Sequence, residues 1–461
     1  MGKVRLLYVL FFQVFIHTVI AQRVPHIDGE LHLSVKTGLI SGKFYLSNLP
    51  DLGKNYALLL NRGLNLHLLK DSSNQVLDYG HDYVKLDYEA LEYWLAKKED
   101  TLSLPRKLYV SYTGAFPVYS DTLNSFDDMG VMAFNGKTFR ATNQTRWYPV
   151  IRDTKNDKVF DEVTYRIRVV CPDCKAAYIN GSEAQIGTQT VFESDVPRQL
   201  TIFAGDYKVQ KFANATFINT KLSNEQATVF NEMARSIQQF YTDRLRISYN
   251  QRITFLKHQP VEKFNEGRSW GFVNFPTIAV AGVGFEEQVS DTAIRDVGSF
   301  SFYAHELGHY YFGTVLRPNS ELAPFFMESM TEYLSIKATE YQYGKEYTKN
   351  YIAGKRKVLK DKKVIPLNRV TTSEEIIRDY YRYSYGPLLL MGLESIIGEK
   401  RTYDLLHHVL SQDGKRTDYK FLKKSALESG ISSEEWQRFE NTFIQLVTAS
   451  DIFAKLPVIK G

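Results

Sequence analysis

Two histidines one helical turn apart set the strongest constraint on how this chain can fold. His305-Glu306-Leu307-Gly308-His309 lies in a stretch of helical periodicity, Ala304 to Phe312. Residues four apart share one helix face, so both imidazoles can reach a single ion. Eighteen residues separate His309 from Glu328, which sits in a second helical stretch, Pro324 to Ala338. A carboxylate from that second helix completes a His, His, Glu donor set with one position left open, the arrangement of a catalytic zinc site. The two helices must then pack with His305, His309 and Glu328 facing one another. Glu332, one turn beyond Glu328, falls on the same face and can accept the outer N–H of a ligand imidazole. Glu306 is left beside the ion, where a carboxylate can take the proton of an activated water. One Zn2+ per chain is expected.

The rest of the chain has to supply a scaffold around that pair of helices. At 461 residues, 44% hydrophobic and 24% charged, the composition is that of a folded chain of several domains and excludes disordered, collagenous and coiled-coil classes. A net charge of +5, with Lys and Arg interspersed among Asp and Glu, gives no basic patch for nucleic acid. Residues 1–21 read as a signal peptide: Lys3 and Arg5 precede an apolar run from Leu6 to Ile20, and Val19-Ile20-Ala21 offers a cleavage site before Gln22. No comparable apolar run follows, so no transmembrane helix is expected after cleavage. An exported location, secreted, periplasmic or at the cell surface, is the consequence.

From 22 to 220 short alternating segments (Leu31 to Val35, Lys107 to Thr113, Thr164 to Val170, Lys208 to Phe217) are punctuated by Gly, Asn, Asp and Pro, which predicts an all-β sandwich. The pattern changes near Thr220. Ser223 and Gln226 form a capping box, and Ala227, Phe230, Met233, Ala234, Ile237 and Phe240 recur at helical spacing. Strands are expected at Ile247 to Leu256 and Phe272 to Val283, the second bent or at a sheet edge because of Phe275-Pro276. Everything after about Asp291 reads as helix: besides the two stretches above, Gly386 to Ile397, Thr402 to Leu410, Asp418 to Glu428 and Ser433 to Val447. The expected class is therefore α+β and multidomain, with a catalytic domain over 221–345 and a helical part over 346–461.

Cys171 and Cys174 are the chain's two cysteines. Cys-Pro-Asp-Cys here follows a strand pattern and does not open a helix, so a small structural disulfide is expected in place of redox chemistry. Asn143, Asn180 and Asn214 each begin an Asn-x-Ser/Thr acceptor triplet.

The run from His305 to Gly313, HELGHYYFG, followed by MESMTEY, resembles the zinc aminopeptidase family of membrane alanyl aminopeptidase and leukotriene A4 hydrolase, within the gluzincins. That resemblance implies a β-sandwich, then a thermolysin-like catalytic domain, then helices, in the order already read. It implies zinc ligands His305, His309 and Glu328, general base Glu306, and Glu332 behind a ligand histidine. The family's oxyanion-binding Tyr lies in a Tyr-x-Lys-Gly segment; Tyr383-Ser384-Tyr385-Gly386 is similar, with Tyr385 in place of Lys, which makes Tyr383 the candidate. Gly271-Phe272-Val273-Asn274-Phe275 stands where the family carries Gly-x-Met-Glu-Asn, a segment that binds substrate and whose Glu pairs with its free α-amino group. Asn274 lacks that charge, so weaker anchoring is expected, with Glu286 or Glu287 as possible replacements. The chain ends soon after Tyr383, so the large closing helical domain of many relatives is expected to be reduced and the cleft more open.

The functional expectation is a zinc metallopeptidase acting on peptide or protein substrates, aminopeptidase-like. The alternatives are an endopeptidase or another zinc hydrolase on the same site, and a non-catalytic exported binding protein that keeps its zinc.

Overall fold

A computed structural model describes residues 24–84, 89–98, 100–119, 129–249, 251–258, 270–281, 284–412 and 414–457. The signal-peptide reading of 1–21 lies outside them. Among the described residues no helix is long and apolar enough to cross a membrane.

Strict alternation builds the first half. In Glu162–Val170 the residues Val163, Tyr165, Ile167 and Val169 are buried while Arg166 and Arg168 point to solvent, the period of a strand with one wet face. It sits in a six-stranded sheet ordered Gln189–Gln199, Glu162–Val170, His26–Leu33, Leu39–Ser47, Leu108–Ala115, Leu64–Lys70. A five-stranded sheet centred on Ile202–Gly205 and a six-stranded sheet centred on Tyr56–Asn61 share one core with it, including Phe44, Leu60, Tyr112, Phe139, Trp147 and Phe192. This is the expected β-sandwich region, followed by the helical part.

Cys171 and Cys174 form a disulfide just after Glu162–Val170. Between them Asp173 accepts from the Ser34 hydroxyl at 2.7 Å and from the N–H groups of Val35 and Lys36, tying that turn to the end of His26–Leu33. Of the acceptor triplets, Asn143 and Asn180 are buried and Asn214 is exposed.

The last strand pattern of the first half, Lys208 to Phe217, belongs to a different sheet. Val209–Lys211 and Ala215–Ile218 open a five-stranded sheet that continues with Ile253–Lys257, Thr277–Ala281 and Trp270–Asn274. Ala215–Ile218 pairs with Ile253–Lys257 in parallel, and a parallel pair needs a crossover. Helix α1 (Asn224–Leu245) is that crossover, so the sheet begins before the helix and the change of pattern near Thr220 falls inside the unit. The Ser223–Gln226 capping box forms, and all six residues of the expected apolar stripe are buried. Phe275 and Pro276 make the turn of a hairpin, which leaves Trp270–Asn274 as an edge strand.

Helices α2 (Val297–Gly308), α3 (Met330–Tyr343), α4 (Lys345–Leu359), α5 (Gly386–Ile397), α6 (Glu399–Leu410), α7 (Tyr419–Glu428) and α8 (Ser433–Phe439) follow. Phe230 of α1 meets Phe255 of the sheet at 5.3 Å and Tyr303 of α2 at 4.7 Å, locking α2 to the sheet. The sheet's other face packs on the sandwich through Tyr178, Phe203, Leu256, Phe272 and Ala279.

A buried amide network joins the two halves beside that apolar seam. The Asn180 side chain donates to Asn274 Oδ1 and to the Phe275 carbonyl, each at 3.0 Å, and accepts from Thr277 Oγ1 at 2.6 Å. Replacing Asn180 by Leu would leave several of these buried groups unpaired. The expected loss is about 2–4 kcal/mol of stability in urea unfolding, and a change near zero would show that the network does not hold the halves together.

Candidate metal centre

Helix α2 is placed before its histidines are. Asp296 caps it by accepting from Ser299 N–H at 2.8 Å, and the Tyr241 hydroxyl of α1 donates to the Ala304 carbonyl at 2.7 Å. Near its other end α2 runs against α3 so closely that a Cβ on Gly308 would lie 2.9 Å from Thr331 Cγ2. A glycine inside the motif therefore sets the helix separation.

Both imidazoles are oriented from behind. His305 Nδ1 is 2.8 Å from Glu332 Oε2, and His309 Nδ1 is 3.3 Å from the Phe312 carbonyl. Each Nε2 is thereby turned inward, 3.3 Å (His305) and 3.7 Å (His309) from Glu328 Oε2. That carboxylate oxygen is buried without a hydrogen-bond partner, an arrangement that costs free energy unless something else satisfies it. One donor atom from each of His305, His309 and Glu328 lies within 4.8 Å of the others. Two imidazole nitrogens and an orphaned carboxylate oxygen converging on one point fit a zinc ion.

The charges tell the same story. Burial disfavours a charged His305, but the Glu328 and Glu332 carboxylates beside it outweigh this and raise it to about 10. Burial and the neighbouring His305 charge lower His309 to about 4. Burial opposes ionisation of Glu328, yet His305 and His309 hold it at about 2. A cluster in which one imidazole keeps a proton only because carboxylates flank it is built around positive charge. Burial pushes Glu306 up to about 7; the His305 charge opposes this and Glu328 and Glu332 reinforce it.

Tyr383 reaches the same place from the other side. Its ring centre is 5.6 Å from that of His305, and burial together with the nearby Glu328 carboxylate keeps the phenol protonated. The neighbouring tyrosines are occupied elsewhere: Tyr380, Tyr381 and Tyr385 donate to the carbonyls of Lys363, Ile365 and Phe443.

The amine-binding position differs from the expectation. Asn274 is buried, its amide nitrogen donating to Thr201 Oγ1 at 2.6 Å and its oxygen accepting from Asn180. Both ends of the side chain serve the seam between sheet and sandwich. Glu286 is paired with Lys257 at 3.0 Å, and Glu287 is exposed. Gly271 sits in the edge strand, where an added Cβ would come 3.6 Å from the Phe302 ring of α2, so that strand flanks the metal helix.

Two contributors were not read from the sequence. Tyr351 of α4 donates to the Tyr383 carbonyl at 2.8 Å, and Arg382 lies 3.9 Å from Glu328 Oε1. Helix α4 fully buries only Thr348 and Leu359, but Tyr347, Tyr351 and Ile352 pack half-buried against the core, and that spacing is its signal.

No known family profile and no curated protein matches the sequence. Solved structures do match. Native yeast LTA4 hydrolase superposes with a TM-score of 0.64 at 15% identity, over 92% of this chain and 68% of that one. An M1 zinc metallopeptidase from Deinococcus radiodurans, solved as a mutant bound to a Tyr-Ser-Ala substrate, gives 0.62 at 16% identity over 92% and 94%. Yeast LTA4 hydrolase in complex with bestatin gives 0.62 at 16% over 95% and 68%. The chain has their fold. Within that fold lies the three-donor cluster of His305, His309 and Glu328.

If Glu332 fixes the His305 ring, Glu332→Gln should weaken zinc binding about 10- to 100-fold in a chelator competition titration. Unchanged affinity would mean that the Nδ1 contact does not orient the ligand.

Proposed function

We propose that the chain is a zinc-dependent metallopeptidase that hydrolyses peptide bonds, with His305, His309 and Glu328 as metal ligands. The observation that carries this reading is the orphaned Glu328 oxygen facing two inward-turned imidazoles, within a fold shared with zinc metallopeptidases. Zinc bound there supplies a Lewis acid that acidifies a water and polarises a carbonyl.

The side chains do the rest. Glu306 accepts the proton of the attacking water and returns it to the leaving amine. Tyr383, a neutral phenol, donates to the oxyanion of the tetrahedral species. The edge strand Trp270–Asn274 flanks the metal helix, where an extended peptide can lie alongside it. The signal-like segment supports work outside the cytoplasm on peptide or protein substrates.

One observation favours cleavage that does not depend on a free N-terminus. The α-amino anchor expected of an aminopeptidase has become Asn274, uncharged and consumed by Asn180 and Thr201. Without a charged hydrogen bond, worth about 1.5–3 kcal/mol, little should distinguish free from blocked peptides.

Two measurements test these readings. Glu306→Gln should keep zinc while kcat falls about 100- to 10,000-fold, and hydrolysis at the native rate by that variant would refute the mechanism. For matched peptides with free and acetylated N-termini, kcat/KM is expected to agree within about tenfold. Cleavage confined to free N-termini would restore the aminopeptidase assignment, and zinc bound with no cleavage of either would favour the binding-protein alternative.

A further inference from the structure

Arg382 is a charged group at the metal centre that the hydrolytic scheme leaves unused. It lies in Tyr381–Tyr385, a π-helical turn that leads into α5, and Glu328 lies in another, Phe325–Ser329, that leads into α3. Each turn is closed by a widened hydrogen bond, Gly386 N–H to the Tyr381 carbonyl and Met330 N–H to the Phe325 carbonyl. Such turns insert a residue into a helix and change where its side chains point.

The two turns are clamped face to face. The Ser329 hydroxyl donates to the Arg382 carbonyl at 2.9 Å, and a Cβ on Gly386 would fall 2.0 Å from Ser329 Oγ. The backbone of Arg382 is therefore fixed relative to that of Glu328.

From this position the guanidinium touches both sides of the site. Its Nη1 lies 3.9 Å from Glu328 Oε1, the oxygen turned away from the imidazoles, and its carbon sits 4.9 Å from the centre of the Tyr383 ring. Asp379 holds the far side of the fork through Nη2 at 2.6 Å. A cation so close to a dication site opposes metal binding by simple charge repulsion, so metal affinity does not explain its presence. Its Nε is buried without a partner, which is a poor use of an arginine whose only task is packing. What the geometry does explain is orientation. The Glu328 carboxylate has one oxygen toward the imidazoles and the other toward Arg382, and the guanidinium carbon lies over the Tyr383 ring.

We propose that Arg382 is a positioning residue that orients the Glu328 carboxylate through its outer oxygen and the Tyr383 phenol through its ring. The effect on Glu328 stands without any assumption about chemistry, whereas the consequence for turnover rests on the peptidase reading.

The test uses Arg382→Met, Arg382→Lys, Tyr383→Phe and the Arg382→Met/Tyr383→Phe pair in the full chain. Visible absorption of the Co2+-loaded protein reports the ligand arrangement and needs no turnover. Arg382→Met should change that spectrum, with Arg382→Lys, which keeps the charge, closer to wild type. In peptide hydrolysis Arg382→Met should lower kcat about 10- to 100-fold with KM within about twofold, the signature of an interaction felt in the transition state. In the Tyr383→Phe background the further loss should be smaller, because the phenol's share of the positioning is gone and only that of Glu328 remains. A Co2+ spectrum identical to wild type in Arg382→Met overturns the proposal. So does the full loss persisting without the phenol. A changed spectrum in a protein that cleaves no peptide upholds the orientation of Glu328 and refutes the peptidase reading alone.

Discussion

The approach of α2 to α3 at Gly308 is the contact on which the site depends. A side chain there would strike Thr331, and the helices would separate at the turn where His305 must meet both Glu328 and Glu332. Everything that makes the cluster polar and buried follows from that distance. His305 can hydrogen-bond Glu332 on one side while Glu328 leaves an oxygen facing its other nitrogen, because the helices pack so closely there. The sheet and α1 serve the same end by holding α2 through Phe230, Phe255 and Tyr303.

The site's other wall is carried by a pair of π-helical turns. A regular α-helix at Phe325–Ser329 or Tyr381–Tyr385 would rotate its side chains by a fraction of a turn at each inserted residue. Glu328, Arg382 and Tyr383 all sit in these turns, and Ser329 joins them. Widened turns are less favourable than α-helix, and they are retained here where three chemistry-bearing side chains must meet.

Legibility in the sequence followed the locality of the signal. His305, His309 and Glu328 stand at fixed spacings on strongly periodic helices, and the capping box at Ser223 is written in four consecutive residues, so the helices, the donor set and the order of architecture could be read directly. Helix α4 is covered only by the general helical reading after Asp291, because its stripe of Tyr347, Tyr351, Ile352 and Leu359 is short and set among charged residues. Lys208 to Phe217 alternates as a strand should, but alternation does not say which sheet a strand joins; the parallel partner lies beyond α1. Asn274 reads as a substrate contact by its place in a motif, and only the packed structure shows its amide spent on Asn180 and Thr201. Arg382 has no spacing rule of its own, since its meeting with Glu328 depends on two turns far apart in the chain.

The most direct test of the whole account is zinc K-edge X-ray absorption on the purified native protein, with metal content measured on the same sample. The expected result is one zinc per chain, bound by two imidazole nitrogens and carboxylate or water oxygen at about 2.0–2.2 Å, with no sulfur in the shell. A protein without zinc, or one whose zinc shows a sulfur ligand at about 2.3 Å, would contradict it.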